Sequence, residues 1–247
     1  MIKLTLPTCP AFLTSEQKHI LTDRFLADKT SRVWNHPQIK AILMDMSYGK
    51  CAFSEVKLGE EGKYMEVEHF YPKSLYPEKV VEWGNLLPIL NLCNTKKRDL
   101  DPNYKPLVNP IYDNPKDYFY IENGRLIPRG KENKKAINTL EAYDLNNPLQ
   151  LRAIRYKCQM YIQKTLRDIG HLYDYNTKIG LERLKSLMAD CGRKSEYSAT
   201  KSTALLADNQ YKRIKTDLKA SGKWCEEWQC LEEELIFCSL PKISVSL

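Results

Sequence analysis

Apolar residues recur at Ile20, Leu21, Phe25 and Leu26 within TSEQKHILTDRFLADK, the spacing of a helix with one apolar side. Thr14 and Gln17 have the separation of a capping box, so the helix is expected to begin there. HPQIKAILMDMSYGK predicts a second helix, with Pro37 in its first turn and Gly49 past its end. The pattern then changes. CAFSEVKLGEEGKYMEVEHF predicts two short strands around the turn-forming GEEG. SLYPEKVVEWGNLLPIL reads as a connection running into an apolar stretch, and CNTKKRDL as a short helix stopped at Asp101-Pro102. In DYFYIENGRLIP, Asn123-Gly124 separates two alternating runs, as a type I′ hairpin turn prefers. Beyond Lys131 the helical period returns. It starts well at Asn147-Pro148, continues near 178–190 and over 203–219, and ends in WCEEWQCLEEELIFC. These elements predict an α+β protein, largely helical, in three parts: a helical extension over 1–48, a mixed core with the following hairpin over 49–145, and a helical region over 146–247.

Composition narrows the class. No apolar run approaches the roughly 18 residues needed to cross a bilayer. MIKLTLPTCPAFLT reads as neither a signal peptide nor a targeting sequence. The 8 cysteines are scattered along the chain, which predicts reduced thiols in a cytoplasm rather than a disulfide framework. The net charge of +7 is uneven: Trp224 to Leu247 hold five glutamates against Lys242, so the body before them is strongly basic. A basic body suits a polyanion such as nucleic acid, although a charge excess also serves solubility. The acidic tail with Trp224, Trp228 and Ile236 reads either as a docking surface or as a helix packed on its own domain.

Candidate chemistry sits in VEHFYPKS, WGNLLP and LNLCNTKK. Taken singly, Glu68-His69 is an ordinary strand end, Asn85 a turn residue and NTKKR a solvated helix face. In this order they resemble the HNH nuclease motif, a strand–strand–helix (ββα-metal) unit gripping one metal ion. The matching residues are Glu68, His69, Pro72, Asn85-Leu86, Asn94 and Lys97. The resemblance implies that His69 takes a proton from water, that Glu68 and Asn94 hold a divalent metal, and that Asn85 steadies His69 and its loop. Mg²⁺ is expected, with Mn²⁺ as the alternative; a neutral imidazole and oxygen ligands suit that chemistry. Lys97, three residues after Asn94, touches the phosphate or anchors the helix. One difficulty is geometric, since neighbours on a regular strand point to opposite faces. Glu68 and His69 converge only if the strand ends there, as Pro72 permits.

Many HNH domains carry a zinc held by two C-x-x-C knuckles. Here CAFS keeps Cys51 but has Ser54, and LNLC keeps Cys93 but has Leu90. Two thiolates of four remain, so no structural zinc is expected. Packing by Phe53, Leu87 and Leu90 is expected to replace it.

The likeness extends over roughly residues 32–160. The succession of HPQIKAILMDMSYGKCAFSE, VEHFYPKS, WGNLLPILNLCNTKKRD, PLVNPIYDNPKDYFYIENGRLIP and NTLEAYDLNNPLQLRAIR resembles the PtuB family, the HNH component of Septu-type anti-phage systems, some of them coupled to retrons. That resemblance implies a toxic nuclease effector restrained by a PtuA-type ABC/SMC-like ATPase, with a retron reverse transcriptase and its msDNA as further partners where a retron is present. DNA is the expected substrate by analogy of fold. RNA, for example tRNA, is the alternative, as is an inactive HNH-fold adaptor for the ATPase.

Overall fold

The computed structural model describes residues 1–60, 62–171 and 174–242. The chain is α+β, with two small antiparallel sheets set among helices. It divides into two compact units. Among the described residues, one comprises Met1 with 3–114 and 130–145, and the other comprises Ile2 with 115–129 and 146–242. The hairpin that follows the mixed segment in sequence therefore clusters with the C-terminal helices.

In the first unit, α1 (Ser15–Ala27) begins where the Thr14 hydroxyl accepts from the Gln17 amide at 3.1 Å. Of its four patterned apolar residues only Phe25 is fully buried; Ile20 and Leu26 are about half exposed. α2 (Pro37–Met46) opens on His36, whose Nδ1 accepts from the Gln38 amide, and buries Ile39, Leu43 and Met46. Gly49 follows it with φ of +71°, a conformation that costs glycine nothing.

The two strands expected around GEEG do not pair with each other. Residues 50–58 form a compact turn closed by a single bridge between Lys50 and Lys57. β1 (Met65–His69) pairs instead with β2 (Leu86–Leu90), with Glu68 opposite Leu87 and His69 opposite Leu86. Leu86, Leu87 and Ile89 are completely buried in this pairing, while the 51–58 segment buries its own apolar side chains in the turn. The chain turns directly from β2 into α3 (Asn91–Lys97), which packs on both strands. α5 (Lys134–Ala142) contacts α3, and Tyr143 at its end stacks on Phe53 with centroids 3.8 Å apart.

In the second unit, the one-turn α4 (Pro115–Tyr118) leads into β3 (Phe119–Glu122) and β4 (Arg125–Pro128). Asn123 and Gly124 both have positive φ, as a type I′ turn requires. Asn147 caps the Leu149 and Gln150 amides, a wide π-type turn follows over Pro148–Arg152, and α6 (Ala153–His171) continues it. The segment over 203–219 is two helices, α8 (Ser198–Ala207) and α9 (Asn209–Ala220), split at Asp208, which caps α9. With α7 (Lys178–Ala189) and α10 (Glu226–Cys238) they enclose one apolar core. Trp228 lies in that core, and Trp224 stacks against it. Of the two readings of the acidic tail, this is the helix packed on its own domain.

Candidate active site

Strand β1 ends at His69, one more backbone bond continues its register, and the chain then turns. The Phe70 amide donates to the Asn85 carbonyl at 2.9 Å, and Pro72 starts a turn. Because the strand stops there, Glu68 and His69 border the same hollow although they are sequence neighbours. That hollow, about 250 Å³, is lined by Val67, Glu68, His69, Pro72, Lys73, Asn94, Thr95, Arg98 and Asp99. Three of the residues singled out in the sequence, Glu68, His69 and Asn94, thus meet at one place.

Asn85 and Lys97 stand behind them. Asn85 Oδ1 accepts from the Tyr71 amide at 2.7 Å, while Nδ2 donates to the carbonyls of Tyr71 and Lys79, each at 3.1 Å. One buried side chain therefore ties both Tyr71 and Lys79 of the connection between the strands. Lys79 precedes Val80, whose carbonyl lies 2.9 Å from His69 Nε2. A carbonyl only accepts, so Nε2 carries the proton and Nδ1 keeps the free lone pair. Trp34 meets the imidazole edge to face at 4.8 Å and fixes its plane. Burial, with repulsion from Lys73 and Lys97, outweighs the Val80 hydrogen bond and lowers the His69 pKa to about 3. The ring is neutral at pH 7, the form in which it can accept a proton.

Lys97 is buried. Its ammonium lies 2.6 Å from Glu68 Oε1 and donates to the His69 carbonyl at 2.7 Å. Of the two roles open to it, these are the contacts of an anchor. The cations that border the hollow are Lys73 and Arg98, neither of which the sequence singled out. Burial pushes the Glu68 carboxyl up, opposed chiefly by Lys97. Tyr143 lies against the same carboxylate, and burial together with that charge pushes its phenol well above the ordinary value.

Glu66 is the residue that sequence reasoning missed. Its oxygens accept from Asn91 Nδ2 at 2.6 Å and from Asn94 Nδ2 at 2.7 Å. A carboxylate can only accept, so the Asn94 amino group must face Glu66 and Oδ1 is left as its free acceptor. A signal for this was present: Glu66 is two residues before Glu68, hence on the same strand face, and Asn91 and Asn94 are one helical turn apart.

A hard divalent cation takes oxygen ligands and keeps several waters, and the Glu68 carboxylate with Asn94 Oδ1 fits that preference. Among the described residues no group of three or more His, Cys, Asp or Glu is placed to hold a metal, so a cation here would keep much of its water shell. At the position of the knuckles, Cys51 and Cys93 are buried hydrogen-bond partners of each other. Burial raises the Cys51 thiol, but hydrogen bonds from Cys93, Ser54 and the Leu90 backbone bring it down to about 6. Its hydrogen bond with Cys51, together with burial, pushes Cys93 well up. The side-chain donors present are two sulfurs and the Ser54 hydroxyl; Leu90 offers none.

No protein-family model matches the chain. It is 35% identical over 244 residues to the Septu protein PtuB of Bacillus thuringiensis, an alignment covering 94% of this chain and 92% of that protein. Among the described residues no helix is long and apolar enough to cross a membrane. Identity at that level across nearly the full length of both proteins means that the chain belongs to the Septu PtuB family.

Proposed function

We propose that the chain is a metal-dependent HNH-type endonuclease that hydrolyses phosphodiester bonds in nucleic acid. The observation that carries this reading is the state of His69: a neutral ring, held through Nε2 by the Val80 carbonyl, with Nδ1 free at a hollow that also presents Glu68 and Asn94. His69 Nδ1 takes the proton of the attacking water. Glu68 and Asn94 would hold the cation, Mg²⁺ or Mn²⁺ by the chemistry of oxygen ligands, and Asn94 is held ready by Glu66. When bound, such a cation neutralises charge on the phosphate and on the leaving oxygen. Lys73 and Arg98 attract the phosphate into the hollow. Asn85 holds the Lys79 carbonyl next to Val80, and so keeps His69 aimed. Cys51 and Cys93 hold no zinc in this reading.

Membership of the PtuB family supports a role as effector in anti-phage defence, working with a PtuA-type ATPase. The test offers plasmid, single-stranded DNA and total RNA including tRNA to the protein, with and without the partner ATPase. Each is run in Mg²⁺ and in EDTA. Cleavage is expected in Mg²⁺ only, and His69→Ala should abolish it while folding and complex formation persist. Cleavage that survives His69→Ala would overturn the reading. An absence of cleavage from every substrate under every condition would favour the adaptor, and the substrate cut decides between DNA and RNA.

A further inference from the structure

Between Asp144 and Asp168 the chain contains no acidic residue, and it contains five cations: Arg152, Arg155, Lys157, Lys164 and Arg167. The stretch is long enough that this is a property of a surface. It folds into the π-type turn over Pro148–Arg152 and most of α6. Arg155 points inward, where Nε donates to the Gly124 carbonyl at 2.8 Å. The other four cations are exposed.

The same outer face carries large side chains that a helix ordinarily buries. Tyr156 is 45% exposed and Tyr161 53% exposed. Each ring has a cation four residues before it, Arg152 for Tyr156 and Lys157 for Tyr161, so ring and charge are neighbours on the surface. The opposite face of α6 is fixed in the core through Ile162, Leu166 and Ile169. The rings are therefore presented on a rigid support. A hollow of about 260 Å³ lies beside Tyr156, between Asn123, Pro148 and Arg152.

We propose that this face of α6 binds single-stranded nucleic acid. Tyr156 and Tyr161 stack on bases, and Arg152 and Lys157 meet the phosphates between them. The charge argues for the occupant, because a run of cations without a single acid complements a polyanion. The rings argue for its single-stranded form, because a duplex keeps its base faces stacked on each other and offers none to a tyrosine. The proposal rests on the nuclease reading and names the form of nucleic acid that it engages.

The test uses the full-length His69→Ala protein in EDTA, where no cleavage intervenes. Fluorescence anisotropy follows labelled single-stranded DNA, single-stranded RNA and duplex DNA as salt is raised. Tight binding of one or both single-stranded probes over the duplex is expected. Tyr156→Ala and Tyr161→Ala should each weaken it about tenfold, and Tyr156→Phe should restore it, since stacking needs only the ring. Arg152→Gln and Lys157→Gln should each lower the slope of log affinity against log salt by about 0.7. Wild-type affinity in all four variants, or equal affinity for duplex, would overturn the proposal. So would variants that keep oligonucleotide affinity but lose the partner ATPase, because the face would then dock a protein. Cleavage by the wild type in Mg²⁺ is scored separately. Binding through α6 without cleavage sinks only the nuclease reading, and cleavage indifferent to α6 sinks only this one.

Discussion

His69 is neutral because it is buried, and that has a thermodynamic consequence. The unfolded chain protonates His69 near the ordinary value of 6.5, whereas the folded chain resists until about 3. A depressed folded pKa means that the contribution is fully present above the unfolded value and is lost as pH falls between the two. The loss runs at up to about 1.4 kcal/mol per pH unit. Lys73 and Lys97 face the ring and act in the same direction as burial. Glu68 has a raised pKa, which works with the opposite sign, but it is common to wild type and variant. In EDTA, the stability difference between wild type and His69→Gln should therefore shrink from pH 6.5 towards pH 4, as read by urea unfolding. A difference that stays flat would show that His69 titrates normally.

At the scale of elements, the connection between β1 and β2 depends on one side chain. Asn85 accepts through Oδ1 and donates twice through Nδ2, a combination that its amide supplies and a carboxylate does not. Asn85→Ala leaves buried backbone groups unpaired, which should cost about 2 kcal/mol. Asn85→Asp should be no better, because a carboxylate would face two carbonyls. Guanidinium denaturation of both variants checks this, and a well-tolerated Asp would contradict it. The same elements show what a sequence can and cannot disclose. Thr14, Pro37, Asn123-Gly124 and Asn147 act on backbone within a few residues of themselves, and each does in the structure what its position predicts. The meeting of Glu68, His69 and Asn94 was legible because a spaced motif encodes it. The partner of β1 was not, since pairing with β2 is a contest between distant segments decided by burial. The Val80 carbonyl was invisible because a backbone acceptor has no residue type. Asp208 splits the helix over 203–219 by capping, a signal that periodicity alone passes over.

At the scale of the whole molecule, each unit has its own apolar interior. The C-terminal helices enclose one core, and Val80 and Val81 share another with Leu13, Phe25 and Val33. Around Cys51 and Cys93 the packing is equally dry: Phe53 and Leu87 are fully buried, and Phe53 lies flat on Tyr143. We propose that burial of this kind, rather than a tetrahedral ion, holds the turn over 50–58 against the strands. Atomic emission analysis of the purified protein should find well under one equivalent of zinc. EDTA should leave the thermal unfolding midpoint in place. Stoichiometric zinc, or a midpoint that falls on chelation, would contradict this.

Lys97 gives that last expectation a wider meaning. Its ammonium already balances the Glu68 carboxylate and ties it to the His69 carbonyl, so the candidate site has its carboxylate balanced from within the chain. Many metalloproteins lose their shape when stripped of metal; here the counter-ion is built into the chain. Under the proposed function, arming by a cation and folding would be separate events. If the proposed nuclease function holds, the protein can be made and kept in reserve, with nothing lost from its fold each time the ion departs.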